Sequence, residues 1–216
     1  MFKNRFKKFG GDYIPDIIDY LKDYINKDPG VTISIGCDSI QKRRRTVYAV
    51  TIMMYNTDLR HGAHVVFFRE SCPKIRENNE RLFREAQYLH DLGVYLDGEL
   101  SQFYQRSDLT EKERKRYKYH LLKCAGEYSH VPLHQEEAVM NALFLTPADM
   151  IEYRTIDVHV DFNPFEGSLN EKGIMKNKSY AAYKSYTPWL RGMGFRVWAK
   201  PAAHASTSAA DLLLQD

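Results

Sequence analysis

Three runs rich in β-branched and aromatic residues stand close together early in the chain, and they restrict its fold more than any other feature. VTISIGCDS (31–39) and TVYAVTIMMY (46–55) are joined only by the basic turn at Gln41 to Arg45. HVVFFRE, His64 to Glu70, follows after a turn that holds Asp58, His61 and Gly62. Links this short suit antiparallel neighbours, because a parallel crossover needs a dozen or more residues. The three runs therefore predict an antiparallel meander.

Helical periodicity flanks the meander. In YIPDIIDYLKDYINKDPG, Ile14, Ile17, Ile18, Leu21 and Ile25 recur at helical spacing until Asp28, Pro29 and Gly30 stop them. From Ile75 to Leu96 an apolar stripe of Ile75, Leu82, Phe83, Ala86, Leu89 and Leu92 predicts a second helix. The charged stretch from Ser107 to Lys123 and QEEAVMNALFL, Gln135 to Leu145, predict two more, with Pro132 and Pro147 at their edges. TIDVHVDFN then restores the strand pattern. A helix is predicted around Ser179 to Arg191, bent or restarted at Pro188, followed by a fifth strand in GFRVWAK and a final helix from about Ala203 to Leu214. The order α, β-β-β, α, helical insert, β, α, β, α is the chain order of the RNase H-like fold. The fold class expected is α/β, with a mixed five-stranded sheet (the meander plus two further strands) flanked by helices. One domain over 1–216 is expected, with a helical insertion over about 97–153.

Composition fits that architecture. With 216 residues, 44% hydrophobic and 27% charged, the chain can bury a sizeable core. No run approaches the roughly 18 apolar residues of a membrane span, and MFKNRFKKFGGDY has basic residues without an apolar stretch behind them, so a cytoplasmic address and no membrane partner are expected. Cys37, Cys72 and Cys124 are far apart and form no CxxC, which suggests neither a disulfide framework nor a zinc ribbon. A net charge of +3 argues only weakly for nucleic acid. Its distribution says more: Lys42, Arg43, Arg44 and Arg45, the stretch EKERKRYKYHLLK from Glu111 to Lys123, and Lys172, Lys176, Lys178 and Lys184 form clusters that are either solvated faces or phosphate contacts.

Two carboxylates stand out from the residues themselves. Asp38 ends the apolar strand IGCDS, where Gly36 permits close packing, and an acid there is either a cap or a ligand mount. In DVHVDFN, Asp157, His159 and Asp161 share one face of a strand, an arrangement that is hard to bury without a reason unless the strand is a solvated edge. Asp161, nearest the carboxyl end, is the ligand candidate, and His159 reads as a hydrogen-bonded neighbour. Glu85, which follows Arg81 and Arg84, is on local evidence an ordinary surface acid. Asp211 lies seven residues beyond His204, so an α-helix would put the two on roughly one face.

The combination of IGCDS, ERLFREA, DVHVDFN and LRGMGFRVWAKPAAHASTSAAD resembles the YkuK-like family of RNase H-like proteins, with Gly194, Phe195, Lys200, Pro201, Ser206 and Asp211 in the family's order and spacing. The resemblance covers about two thirds of the chain; residues from about Asp97 to Tyr153 and the long stretch NPFEGSLNEKG depart from it. It implies a nuclease with Asp38, Glu85, Asp161 and Asp211 as its acidic cluster. Hard Mg²⁺ or Mn²⁺ ions prefer such oxygen ligands, so two ions are the expected cofactors, bridged by Asp38, with Glu85 and Asp161 completing the sites and Asp211 on the second. His204 is expected to move protons or to be structural. Lys200, Arg43, Arg44 and Lys176 are the expected phosphate contacts, and Tyr117, Tyr119, Tyr180, Tyr183, Tyr186 and Trp189 offer stacking surfaces or core packing.

The partner expected is nucleic acid, whether RNA, RNA–DNA hybrid or branched and otherwise structured DNA; the residues name no oligomeric state. The alternative is a catalytically silent nucleic-acid-binding or scaffold protein on the same fold. A sugar-kinase or actin-like ATPase shares an early strand ending in an acid, but needs a second phosphate loop and a duplicated domain. A zinc site from His130, His134, His61 and His64 is opposed by Pro132.

Overall fold

A computed structural model of the chain describes residues 2–56, 62–103, 156–165 and 179–214. Its elements in order are β1 (Lys7–Lys8), α1 (Ile17–Lys27), β2 (Thr32–Gln41), β3 (Arg45–Tyr55), β4 (His64–Pro73), α2 (Asn78–Leu100), β5 (Asp157–Val160), α3 (Tyr180–Gly192), β6 (Arg196–Trp198), a π-helical segment (Ala205–Ala210) and α4 (Asp211–Leu214). They form a mixed sheet in the order β1-β4-β3-β2-β5-β6. The predicted meander is β2, β3 and β4, antiparallel throughout, with Thr32 opposite Tyr55 and Gln41 opposite Thr46. Strands β5 and β6 then add in parallel beside β2.

Among the described residues the sheet has six strands, not the five expected. The extra one, β1, is two lysines paired antiparallel with Val66 and Phe67 at the β4 edge. A two-residue strand has no alternation to read, so backbone pairing creates it rather than side-chain pattern.

The α-helices divide between the faces because β2 is buried on both. On one face Ile33, Ile35 and Cys37 of β2 join Leu82, Ala86, Leu89, Leu92 and Leu96 of α2 and the apolar stripe of α1 in the main core. Asp16 caps α1, its carboxylate accepting from the Ile18 N–H at 2.9 Å, and Ile17, Ile18, Leu21 and Ile25 turn inward. Each such aliphatic contributes about 1.5–3 kcal/mol on burial. On the other face Val47, Ala49 and Phe67 meet Ala210, Leu213 and Leu214 in a smaller cluster.

Helix α3 runs through Pro188 as one helix, so of the bend or restart expected there the restart does not occur. One local expectation is corrected. The final helix is not α-helical from Ala203: it is π-helical from Ala205 to Ala210 and α-helical only from Asp211. The expected insertion falls mainly on residues 104–155, outside the described residues; its first residues, Asp97 to Leu100, belong to α2. Cys124, Lys172, Lys176, Lys178, Tyr117, Tyr119, His61, His130 and His134 also lie outside the described residues. No helix among those described is long and apolar enough to cross a membrane.

Candidate active site

The parallel pairing of β2 with β5 ends at Cys37 opposite Val160. One step further along each strand stand Asp38 and Asp161, so the sheet brings side by side two carboxylates 123 positions apart, at neighbouring-strand spacing of about 4.8 Å between backbones. The Asp38 carboxylate accepts from the Ser39 N–H at 2.7 Å. Asp161 is paired with Lys200, Nζ to Oδ2 2.9 Å, just after β6 and before Pro201.

Glu85 departs most from its local sequence. It is 1% exposed on the inner side of α2, not a surface acid. Ser39, the residue after Asp38, donates its hydroxyl to Glu85 Oε1 at 2.5 Å. Arg81, one helical turn back, donates Nη1 to the same Oε1 at 3.0 Å, to Ser39 Oγ at 2.5 Å and to the Ser39 carbonyl at 3.0 Å. The other oxygen, Oε2, is buried without a hydrogen-bond partner. Arg84, by contrast, pairs with Glu80 on the exposed side at 3.6 Å.

These carboxylates repel one another. Burial, with Asp161 and Asp211 adding to it, pushes Asp38 up to about 7. Burial and then Asp38 push Glu85 well above the ordinary glutamate range, against Arg81 and Ser39, which pull it down. Burial also raises Asp161, while Lys200 opposes the rise and Asp211 adds to it. The four acids therefore lie within one electrostatic neighbourhood although they come from β2, α2, the end of β5 and the start of α4.

Asp211 reaches that neighbourhood because the π-helical segment lies flat on the sheet. A Cβ on Gly36 would stand 2.3 Å from the Ala205 carbonyl carbon and 2.5 Å from the Ser206 nitrogen, so only glycine lets this backbone touch β2. The contact is pinned at both sides. Thr51 of β3 donates to the Ala205 carbonyl at 2.8 Å, and the Ala205 N–H donates to His159 Nδ1 at 3.0 Å. A foreign side chain on the first carbonyl opens the helical ladder, and the Asp211 N–H reaches back five residues to the Ser206 carbonyl. The wider turn removes the α-helical repeat that would have aligned His204 with Asp211; both are exposed.

The rest of the DVHVDFN face is structural. Asp157 is buried and takes Arg196 on Oδ1, Nε at 2.8 Å, and the Trp198 indole N–H on Oδ2 at 3.1 Å. His159 is the hydrogen-bonded neighbour expected. His64, one of the four histidines of the zinc alternative, lies with its ring 2.6 Å from the Tyr20 hydroxyl and stacked on Tyr24. Tyr186 and Trp189 line a seam between α3 and α2, against Phe83 and His90. Tyr183 packs at the core edge, and Tyr180 receives Lys184 over its ring. Arg43 and Arg44 are exposed at the β2–β3 turn.

Arg81 and Ser39 were not singled out from sequence as parts of the site. Arg81 carries a readable signal, the i,i+4 spacing to Glu85; Ser39 carries none beyond standing next to Asp38.

A sheet with a three-strand meander, two further parallel strands and helices on both faces is a mixed α/β architecture consistent with an RNase H-like fold. The Ribonuclease H-like family model matches residues 14–118, which include Asp38, Arg81 and Glu85 and leave Asp161 and Asp211 outside. No curated protein and no solved structure matches the chain.

Proposed function

We propose that the chain is a divalent-metal-dependent nuclease of the RNase H-like kind, hydrolysing phosphodiester bonds at Asp38, Glu85, Asp161 and Asp211. The observation that carries this reading is the buried, partnerless Glu85 Oε2 among mutually repelling carboxylates. An acid cluster that raises its own protonation energy is a poor structural device and a good cation site. The resemblance to YkuK-like proteins and the family match over β2 to α2 point the same way.

The donor chemistry fits the group expected: carboxylate oxygens are the ligands of Mg²⁺ and Mn²⁺. Among the described residues no three His, Cys, Asp or Glu side chains are already gathered as a metal set. Two of the four acids instead face cations of the chain, Glu85 toward Arg81 and Asp161 toward Lys200. On this reading the four carboxylates would hold two ions, which when bound supply an activated water and charge stabilisation at the leaving 3′ oxygen. The chain's own residues do the rest. Ser39 and Arg81 fix the Glu85 carboxylate, leaving Oε2 free. Lys200 pairs with Asp161 in the metal-free chain and, released from it, offers a cation to a phosphate. His204, exposed at the head of the π-helical segment, stands where a proton could be exchanged with solvent.

The two internal ion pairs favour a second reading, a catalytically silent protein on the same fold that binds nucleic acid without a metal. Cleavage of labelled RNA–DNA hybrid, single-stranded RNA and branched DNA in Mg²⁺ or Mn²⁺ separates them. The nuclease reading expects cleavage that Asp38→Asn and Asp161→Asn each abolish. No cleavage of any substrate, with binding indifferent to EDTA, would establish the silent protein instead.

A further inference from the structure

The β2–β3 turn carries Lys42, Arg43, Arg44 and Arg45. The chain leaving β4 is laced against that turn by three hydrogen bonds: Lys74 N–H to the Arg44 carbonyl at 3.2 Å, Ile75 N–H to Thr46 Oγ1 at 3.0 Å, and Gln41 Nε2 to the Ile75 carbonyl at 2.6 Å. This brings Lys74 and Arg76, both exposed, beside the turn. Six cations thus share one end of the sheet, and within 41–45 and 72–78 the sole acid is Glu77. Among the described residues none of the six takes part in an ion pair, whereas nearby Glu70 is held by Arg5 and Glu80 by Arg84. Like charges held together without counter-ions repel, and a polyanion relieves that repulsion.

We propose that this platform, Lys42, Arg43, Arg44, Arg45, Lys74 and Arg76, binds the phosphate backbone of a nucleic acid strand that continues to the carboxylates. Strand β2 is the ruler. Gln41, where β2 ends and the basic turn begins, lies three residues beyond Asp38, about 10 Å along the strand, which spans about three phosphates at the duplex rise. The same elements connect the two places physically, since Ser39 of β2 and Arg81 of α2 meet at Glu85. Main-chain-anchored cations without paired acceptors contact phosphates and not base edges, so the binding is independent of sequence. The proposal rests on the nuclease reading only for what happens to the strand once it reaches Asp38.

The test is the salt dependence of binding. A short labelled DNA duplex and the matching single-stranded RNA are titrated in EDTA between about 50 and 200 mM salt, with wild type and with the combined Arg43→Gln, Arg44→Gln, Lys74→Gln, Arg76→Gln variant. If all four contact phosphate, the slope of log K against log salt falls by about 3–4 on the duplex and about 3 on the single strand. All four residues are exposed, so the melting temperature should hold; should the combined variant not fold, Arg43→Gln, Arg44→Gln alone should lower the duplex slope by about 2. A folded variant with the wild-type slope, or a wild type that binds neither probe, overturns the proposal. Cleavage by wild type with an unchanged variant slope removes the platform and leaves the nuclease; a lowered slope without any cleavage removes the nuclease and leaves the platform.

Discussion

Replacing Asp38 by asparagine should make the metal-free protein more stable while removing the proposed nuclease activity. The carboxyl titrates at about 7 in the fold against an ordinary 3.8, a difference of about 3 units, or about 4 kcal/mol at 1.36 kcal/mol per unit. Because the folded value is the higher one, the folded chain holds this proton more tightly than the unfolded chain. The penalty is absent below about pH 4, grows through the interval and is complete above about pH 7. Asparagine keeps the shape and can still accept from the Ser39 N–H, but its buried amide gives back part of the gain. The net expectation is about 3 kcal/mol of added stability at pH 8, or about 6–12 °C in Tm for a chain of this size, shrinking to nothing at pH 4. Thermal and urea melts in EDTA at the two pH values read this directly. Added Mn²⁺ should close most of the gap: at 100 times its Kd it stabilises wild type by about 2.7 kcal/mol and the variant much less. A variant no more stable than wild type at pH 8 in EDTA, or one that gains equally from Mn²⁺, would refute the account of Asp38 as a strained ligand.

Gly36→Ala should drive a methyl into the backbone at Ala205 and cost about 3 kcal/mol in a urea melt, with loss of any cleavage as Asp211 is displaced. Arg81→Met leaves the buried Glu85 carboxylate without its cation and should cost about 3 kcal/mol at pH 8. The cost should shrink as the pH is lowered, because burial and Asp38 raise Glu85 and a protonated carboxyl needs no cation; equal losses at high and low pH would count against it. Lys200→Met removes the cation competing for Asp161 and should tighten Mn²⁺ binding about fivefold by calorimetry, the equivalent of about 1 kcal/mol; weaker binding would make Lys200 a support of the site and not a competitor.

Elements with strong local periodicity were legible before any coordinates. The stripe of Ile17, Ile18, Leu21 and Ile25 made α1, and the β-branched runs around Ile35, Val50 and Val66 made the meander, because burial of one face or both leaves a regular trace in the chain. Elements made by pairing alone were not legible: Lys7 and Lys8 are a strand only because β4 offers an edge. The π-helical segment escaped for a related reason. Its composition, Ala-Ser-Thr-Ser-Ala-Ala, fits an α-helix, and the departure is imposed by Thr51 and His159 from two different strands.

The site divides in the same way. Asp38 and Asp161 could be picked out because an acid at the end of an apolar strand breaks a pattern, and the strand ends are local features of the sequence. Glu85 breaks no pattern: preceded by arginines on an amphipathic helix, it has the sequence of a solvated acid, and only the packing of α2 on β2 buries it against Ser39 and Arg81. Local sequence by itself determined α1, α2, α3, the meander and two carboxylates at strand ends, since each depends on neighbours within a few residues. The tertiary structure alone decided which acids share a neighbourhood, which are held by cations and where six basic residues converge, because those relations depend on strand order, register and the glycine at position 36 that lets two backbones touch.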